Sequence, residues 1–371
     1  MTRLLIVDDS PLMRRLLLDI FTKAGDFEIK AAKNGVEAIE LLHRFKPEVV
    51  TLDIHMPDMD GLECLDRIMV EKPTPVVMIS ALTAEGADET LEAIALGAID
   101  FIGKPRGPIS IEIEGLTELL IEKVRSAARA KISRATRLAD RVRLRSTVAP
   151  SKFTAPRATL STAATIMPTR PAKPLPERSS GEGLVIIGTS TGGPAALDVV
   201  LAGLPADFPW PVVVAQHMPR SFTGALARRL DRFCAITVVE VAKSERLLPG
   251  HAYIGRGDAD LLISRRGPSL IALAAPSKAE LHWHPSVDRL VESAMQYLAP
   301  ERLIGVLMTG MGNDGAKEMS ELAHRGGHTI AEAEETAVVW GMPGALVAAD
   351  GADHIEPVDA IASKLTSLVG R

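Results

Sequence analysis

Short apolar runs recur along this chain, each ending in a polar or glycine-bearing turn and followed by an amphipathic stretch. Residues 4–7, 49–52 and 76–80 set the rhythm near the start; residues 184–187, 212–215 and 303–308 resume it later. Runs this short and uniformly apolar suit strands buried on both faces, which alternate with helices in parallel sheets. The fold class expected is therefore α/β, with two doubly wound parallel-sheet domains. A length of 371 residues exceeds one ordinary core and accommodates two.

What separates the two runs of strands is a change of composition. Residues 115–144 carry Leu116, Leu119, Leu120, Val124, Ala128, Ile132, Ala135 and Val142 near one face of a long helix. From 146 to 183 the chain turns rich in Pro, Ser, Thr and Ala, including Pro150, Pro156, Pro168, Pro171, Pro174 and Pro176, as an extended linker does. Charge follows the same division. Residues 1–122 hold 12 Lys+Arg against 23 Asp+Glu, residues 123–180 hold 14 against 2, and residues 181–371 hold 16 against 22. The expected domains are 1–122, a basic linker over 123–180, helical and then Pro-rich, and a larger domain over 181–371. The basic linker reads as a tether docking on acidic domains, the sharper alternative being contact with an acidic receptor segment or an anionic surface.

Cys64 and Cys234 are far apart with no CxxC, which predicts free thiols in a reducing compartment. Asp8 and Asp9 cut off the first apolar run, unlike a signal peptide, and no run approaches the ~18–20 apolar residues that span a bilayer. A cytoplasmic protein without membrane insertion is expected. The acidic second domain, with no helix-turn-helix pattern, argues against nucleic acid as a partner.

Within 1–122, Asp8 and Asp9 follow the first strand, Asp53 ends the third, Ser80 ends the next, and Phe101 precedes Lys104-Pro105. Strand C-terminal ends in an open parallel sheet face one crevice. Three carboxylates gathered there favour a hard divalent cation such as Mg²⁺, and Asp53 could then attack a phosphoryl donor. Singly, each feature also suits a solvated turn or loop. The ordered set, strand-DD, strand-D-xx-MP-xx-DG, strand-S and F-xx-KP, resembles the response-regulator receiver family over 1–122. The resemblance implies a flavodoxin-like fold with Asp53 as phospho-acceptor and Asp8, Asp9 and Asp53 around Mg²⁺. It further implies Ser80 and Phe101 as the switch pair, Lys104 as the phosphate lysine, a backbone carbonyl of His55 on the metal, and a sensor histidine kinase as phosphodonor. An acidic residue usually stands where this chain has His55.

In the second domain the strand 184–187 runs into Gly188-Thr189-Ser190-Thr191-Gly192-Gly193-Pro194, a turn that exposes the Ser190 hydroxyl. The amides of Thr191 and Gly192, at the start of the next helix, are the candidate oxyanion donors. A glycine-rich turn of this kind more often binds phosphate or only turns. No Gly-Lys-[Ser/Thr] follows it, however, and the G-x-G-x-x-G spacing is absent. Two further strands end at His217 and just before Asp314, so three strand ends supply a nucleophile, a base and an orienting carboxylate. The order Ser, His, Asp departs from that of α/β-hydrolases, so that fold is not assigned.

Gly-Thr-Ser-Thr-Gly-Gly, Gln-His-Met-Pro, Leu-Pro-Gly-His-Ala-Tyr, Pro-Ser-Val-Asp, Leu-Met-Thr-Gly-Met-Gly-Asn-Asp-Gly and Gly-Met-Pro together resemble the chemotaxis protein-glutamate methylesterase family over roughly 184–360. The resemblance implies Ser190 as nucleophile, His217 as general base and then acid, and Asp314 as orienting acid. The implied substrates are γ-glutamyl methyl esters on chemoreceptors, with receptor glutamines open to deamidation and no cofactor in the esterase domain. His282-Trp283-His284 and Arg256 depart from the family pattern at loops expected to face the substrate. His282 and His284 also admit an H-x-H metal reading, weakened by the lack of a third ligand at suitable spacing. His251 is expected to be structural, Glu332, Glu334 and Glu335 to form a solvated acidic loop with a substrate-rim role as the alternative, and Trp210, Trp283 and Trp340 to be core or rim residues. A non-enzymatic regulator with a binding output, and an esterase acting outside chemotaxis, are the competing readings.

Overall fold

The computed structural model describes residues 1–80, 83–104, 112–130, 183–278 and 280–370. Five parallel strands, β1 (Thr2–Val7), β2 (Phe27–Ala32), β3 (Val49–Asp53), β4 (Val76–Ser80) and β5 (Asp100–Gly103), form a first sheet in the order β2-β1-β3-β4-β5. β3 and β4 are buried at every position, which is why they read as unbroken apolar runs. Helices α1 (Pro11–Ala24), α2 (Gly35–Phe45), α3 (Gly61–Glu71) and α4 (Ala84–Leu96) start at Ser10, Asn34, Asp60 and Thr83. Each of those side chains accepts a first-turn backbone N–H, the usual chemistry of a helix N-terminus.

Helix α5 (Glu112–Arg129) closes this layer, burying Leu120, Val124 and Ala127 against β1 and β4 residues such as Leu4, Ile6 and Val77. The expected boundary at 122 therefore cuts through α5, because the basic charge that marked the linker begins on a helix whose other face is core. Ala130 lies outside the helix, so α5 is shorter than the helix expected over 115–144. The remainder of that stretch, and the Pro-rich segment up to 182, lie outside the described residues.

A second sheet is built from seven parallel strands in the order β15-β14-β13-β6-β7-β10-β8. They are β6 (Leu184–Thr189), β7 (Val212–Gln216), β8 (Thr237–Val241), β10 (His251–Gly255), β13 (Leu303–Leu307), β14 (His328–Glu332) and β15 (His354–Glu356). The helices are α6 (Gly193–Ala202), α7 (Arg220–Phe233), α8 (Val287–Met295), α9 (Ala316–His324), α10 (Met342–Ala348) and α11 (Val358–Val369). The chain enters at the central β6, goes to β7 on one side, and returns to β13 on the other. That reversal opens a crevice at the carboxyl ends of β6, β7 and β13.

A small antiparallel sheet, β11 (Ala259–Arg266), β12 (Ser269–Pro276) and β9 (Glu245–Arg246), stands beside it. It was not anticipated. Its hairpin turns at Gly267-Pro268, with Gly267 at φ +57, and its alternating burial is weaker as a sequence signal than the buried runs around it.

Candidate active site and its receiver

Ser190, His217 and Asp314 lie beyond the ends of the adjacent strands β6, β7 and β13. The turn carrying Ser190 is fixed from below by Thr309. Its carbonyl accepts the Ser190 N–H at 3.0 Å and the Thr189 hydroxyl at 2.9 Å, while its own hydroxyl donates to the Thr191 carbonyl at 2.8 Å. Gln216 Nε2 donates to the Ser190 carbonyl at 3.0 Å. Two glycines are needed here. Gly192 sits at φ +79, where a Cβ would meet Val338 Cβ at 2.7 Å; a Cβ on Gly310 would meet Ser190 Cβ at 2.8 Å. Gly310 was not singled out from sequence, and its role is visible only once β6 and β13 are paired.

His217 Nε2 lies 2.8 Å from Asp314 Oδ2. Burial works to raise the Asp314 pKa, but the His217 hydrogen bond and charge, with the amides of Val287 and Asp288, hold the carboxyl below its usual value. An ionised carboxylate only accepts, so Nε2 carries the proton and Nδ1 offers the lone pair. Nδ1 is buried without a hydrogen-bond partner. Ser190 and His217 line one cavity of about 420 Å³, and no hydrogen bond joins the Ser190 hydroxyl to His217 in this arrangement.

Asp314 accepts N–H bonds from Val287 at 2.7 Å and Asp288 at 3.1 Å, and the Ser286 hydroxyl at 3.1 Å. Ser286 also caps α8, so the start of that helix holds the carboxylate in place. The loop before it is anchored by the fully buried Asp260, which accepts His284 Nδ1 at 2.9 Å and the Ser286 N–H at 2.8 Å and pairs with Arg289. His284 is therefore held by a carboxylate. Trp283 lies over His217, with ring centroids 5.4 Å apart and planes 7° from parallel. Arg256 is half-buried, and its Nε lacks a partner. His251 bonds the Pro249 carbonyl and stacks on Tyr253, as a structural residue does.

Glu332 corrects the expectation of a solvated loop. It ends β14 at 1% exposure, accepting the Thr309 N–H at 2.8 Å and the Thr336 hydroxyl at 3.1 Å. Burial pushes its carboxyl up to about 7.

In the first sheet, Asp8, Asp9 and Asp53 place carboxylate oxygens within 4.8 Å of one another. Lys104 Nζ lies 2.7 Å from Asp53 and 3.2 Å from Asp8. Burial raises the Asp53 pKa against the lowering effect of Lys104, and the charge of Asp8 adds to the rise. Asp8 Oδ2 is buried and accepts no hydrogen bond, while the ammonium touches it only as an ion pair; this crowded all-oxygen set suits a hard divalent cation. Ser80 Oγ donates to the Gly86 carbonyl at 3.3 Å, and the His55 ring pairs with Glu89 at 3.1 Å.

The two sites meet through β5. Phe101, expected as a switch residue, packs on Phe222 of α7 with ring centroids 4.3 Å apart. Its neighbour Asp100 accepts the Thr191 hydroxyl at 2.5 Å and the Lys123 ammonium at 2.7 Å. Thr191 thus has a second partner that sequence did not suggest. Phe101, Ile102, Gly103, Leu119 and Lys123 form one wall of the cavity that holds Ser190 and His217.

Comparison with known proteins matches both parts of the chain. The family model described as CheB methylesterase matches residues 185–365, and that of the response regulator receiver domain matches residues 4–113. The chain is 55% identical over 363 residues to a protein of Rhodopseudomonas palustris named protein-glutamate methylesterase/protein-glutamine glutaminase 2, covering 98% of this chain and 97% of that one. A protein of Rhodospirillum rubrum with the same name, numbered 3, is 50% identical over 372 residues, covering 100% and 97%. The crystal structure of the Thermotoga maritima CheB methylesterase catalytic domain aligns with a TM-score of 0.49 at 38% identity, covering 51% of this chain and all of that one. With its two domains matched in order and relatives aligned along nearly its whole length, the chain belongs to the CheB methylesterase family, in the form that carries a response regulator receiver domain.

Proposed function

We propose that this chain removes methyl groups from γ-glutamyl methyl esters of chemoreceptors, using Ser190, His217 and Asp314 under the control of its receiver. The observation that carries the reading is the 2.8 Å pairing of His217 with Asp314 beside a cavity that Ser190 also lines. His217 Nδ1 takes the Ser190 proton as Oγ attacks the ester carbon. The oxyanion forms against the amides of Thr191 and Gly192, at the start of α6. Collapse breaks the C–O bond, and the imidazolium gives its proton to the departing methoxide oxygen, releasing methanol. Water, deprotonated by His217, then opens the acyl-serine to free glutamate. Glutamine side chains follow the same route with ammonia leaving.

Asp53 accepts a phosphoryl group from a sensor histidine kinase. Asp8, Asp9, Asp53 and the His55 carbonyl would hold Mg²⁺, which would supply the positive charge that keeps Asp53 ionised and steadies the transferring group. Lys104 pairs with the phosphoryl oxygens, and Ser80 and Phe101 respond to them. Asp100 on Thr191 and Phe101 on Phe222 support a resting state in which the receiver closes the cavity. Among the described residues no helix is long and apolar enough to cross a membrane, and a cytoplasmic setting fits the kinase as partner.

The test is methanol release from membranes bearing methylated chemoreceptor. Ser190→Ala should lower the rate by at least about a thousandfold with folding intact; a variant retaining most of its activity would remove Ser190 from the chemistry.

A further inference from the structure

We infer that Trp283 is a positioning residue for His217: its indole stacks parallel to the imidazole, restricting the ring's orientation and favouring the ring once protonated. This rests on the reading of His217 as general base.

Asp314 tethers His217 by a single ring atom, Nε2. One hydrogen bond leaves the ring able to turn about its Cβ–Cγ bond, out of the plane in which Nε2 meets Oδ2. The indole, 5.4 Å away and within 7° of parallel, occupies the space through which the ring would swing. Trp283 is itself restrained. The His282 ring meets it edge-on at 4.5 Å and 83°, and Asp260 pins the residues that follow through His284 and Ser286.

Trp283 also lines a second cavity, of about 800 Å³, and with His282 it borders both. The charged and titratable groups around His217 are Asp314 from the β13–α9 turn, Lys123 from α5, Asp258 from the β10–β11 turn, and His282 and His284 from the Trp283 loop. Of these, Asp314 is bonded to the ring. The indole face is electron-rich, and the base gains its charge on the way to the transition state, so the stack strengthens when catalysis needs it.

The experiment uses the full chain phosphorylated with acetyl phosphate, acting on membranes that bear radiolabelled methylated chemoreceptor. Trp283→Ala should lower kcat by roughly tenfold with KM little changed, and move the acid limb of the kcat/KM profile down by about half a pH unit. Trp283→Phe, which keeps an aromatic plate, should restore most of the rate. Imidazolium quenches indole emission, so the loss of fluorescence on acidification should be smaller in Trp283→Phe and in His217→Gln than in the wild type, the remainder in His217→Gln coming from His282, whose ring meets the indole at 4.5 Å. Unchanged kcat and acid limb in Trp283→Ala, or a change in KM alone, overturns the inference. Full activity in His217→Gln would be a separate failure, removing the general-base reading and the inference with it.

Discussion

Glu332 shows how much a single buried side chain can matter to this site. It holds the Thr309 N–H, and Thr309 in turn holds residues 189, 190 and 191. Its carboxyl sits at about 7 when folded against 4.5 as a free side chain, because burial penalises the charge. Between those values the native state keeps a proton that the unfolded chain gives up. Stability therefore falls as pH rises through that window, by on the order of 3 kcal/mol once pH exceeds the folded value. Glu332→Gln keeps an acceptor for Thr309 and carries no charge. Urea unfolding should find it about 1–3 kcal/mol more stable than wild type at pH 8 and close to wild type at pH 5. An equal difference at both pH values would mean that the charge is compensated in the fold. Ser190, His217 and Asp314 were legible in sequence because each follows a strand that reads plainly as one. Glu332 was not, because it shares an acidic stretch with Glu334 and Glu335, and only the β13–β14 pairing turns it inward.

Elements carry the coupling between the two sites. β5 presents Asp100 to Thr191, one residue past Ser190, and Phe101 to Phe222 on α7. A charge-assisted hydrogen bond contributes about 1.5–3 kcal/mol and an aromatic pair about 0.5–1.5. Asp100→Asn keeps the shape and removes the charge. Losing roughly 1 kcal/mol from the closed state should raise methanol release by the unphosphorylated protein about fivefold, while the phosphorylated rate stays the same. An unaltered resting rate, with Asp53 still accepting phosphate normally, would show that this contact does not restrain the enzyme. The strands β1, β3, β4, β6, β7 and β13 were readable because buried parallel strands announce themselves. The β11–β12 hairpin and the true end of α5 were not, since one depends on a weak alternation and the other hides its core face behind a basic one.

At the scale of the whole molecule, the proposed function makes the receiver both sensor and obstacle. The apolar core runs without a break from α4 residues Ala87, Leu91 and Ile94 to α7 residues Phe222, Ala225 and Leu226, so the two sheets share buried surface. Such a junction is self-limiting, because it must be stable enough to close the cavity at rest yet weak enough for one phosphoryl group to open it. Every 1.4 kcal/mol of preference for the closed form cuts the resting rate about tenfold, and phosphorylation recovers only what it takes from that preference. A fragment spanning 183–371 has no receiver wall over Ser190. It should release methanol at least about tenfold faster than the intact unphosphorylated protein, and phosphorylation of the intact protein should bring its rate toward that of the fragment. A folded fragment no faster than the resting chain would mean that covering the cavity is not what holds the enzyme back. Phosphorylation would then have to act on the geometry of Ser190, through contacts such as Asp100–Thr191 and Phe101–Phe222.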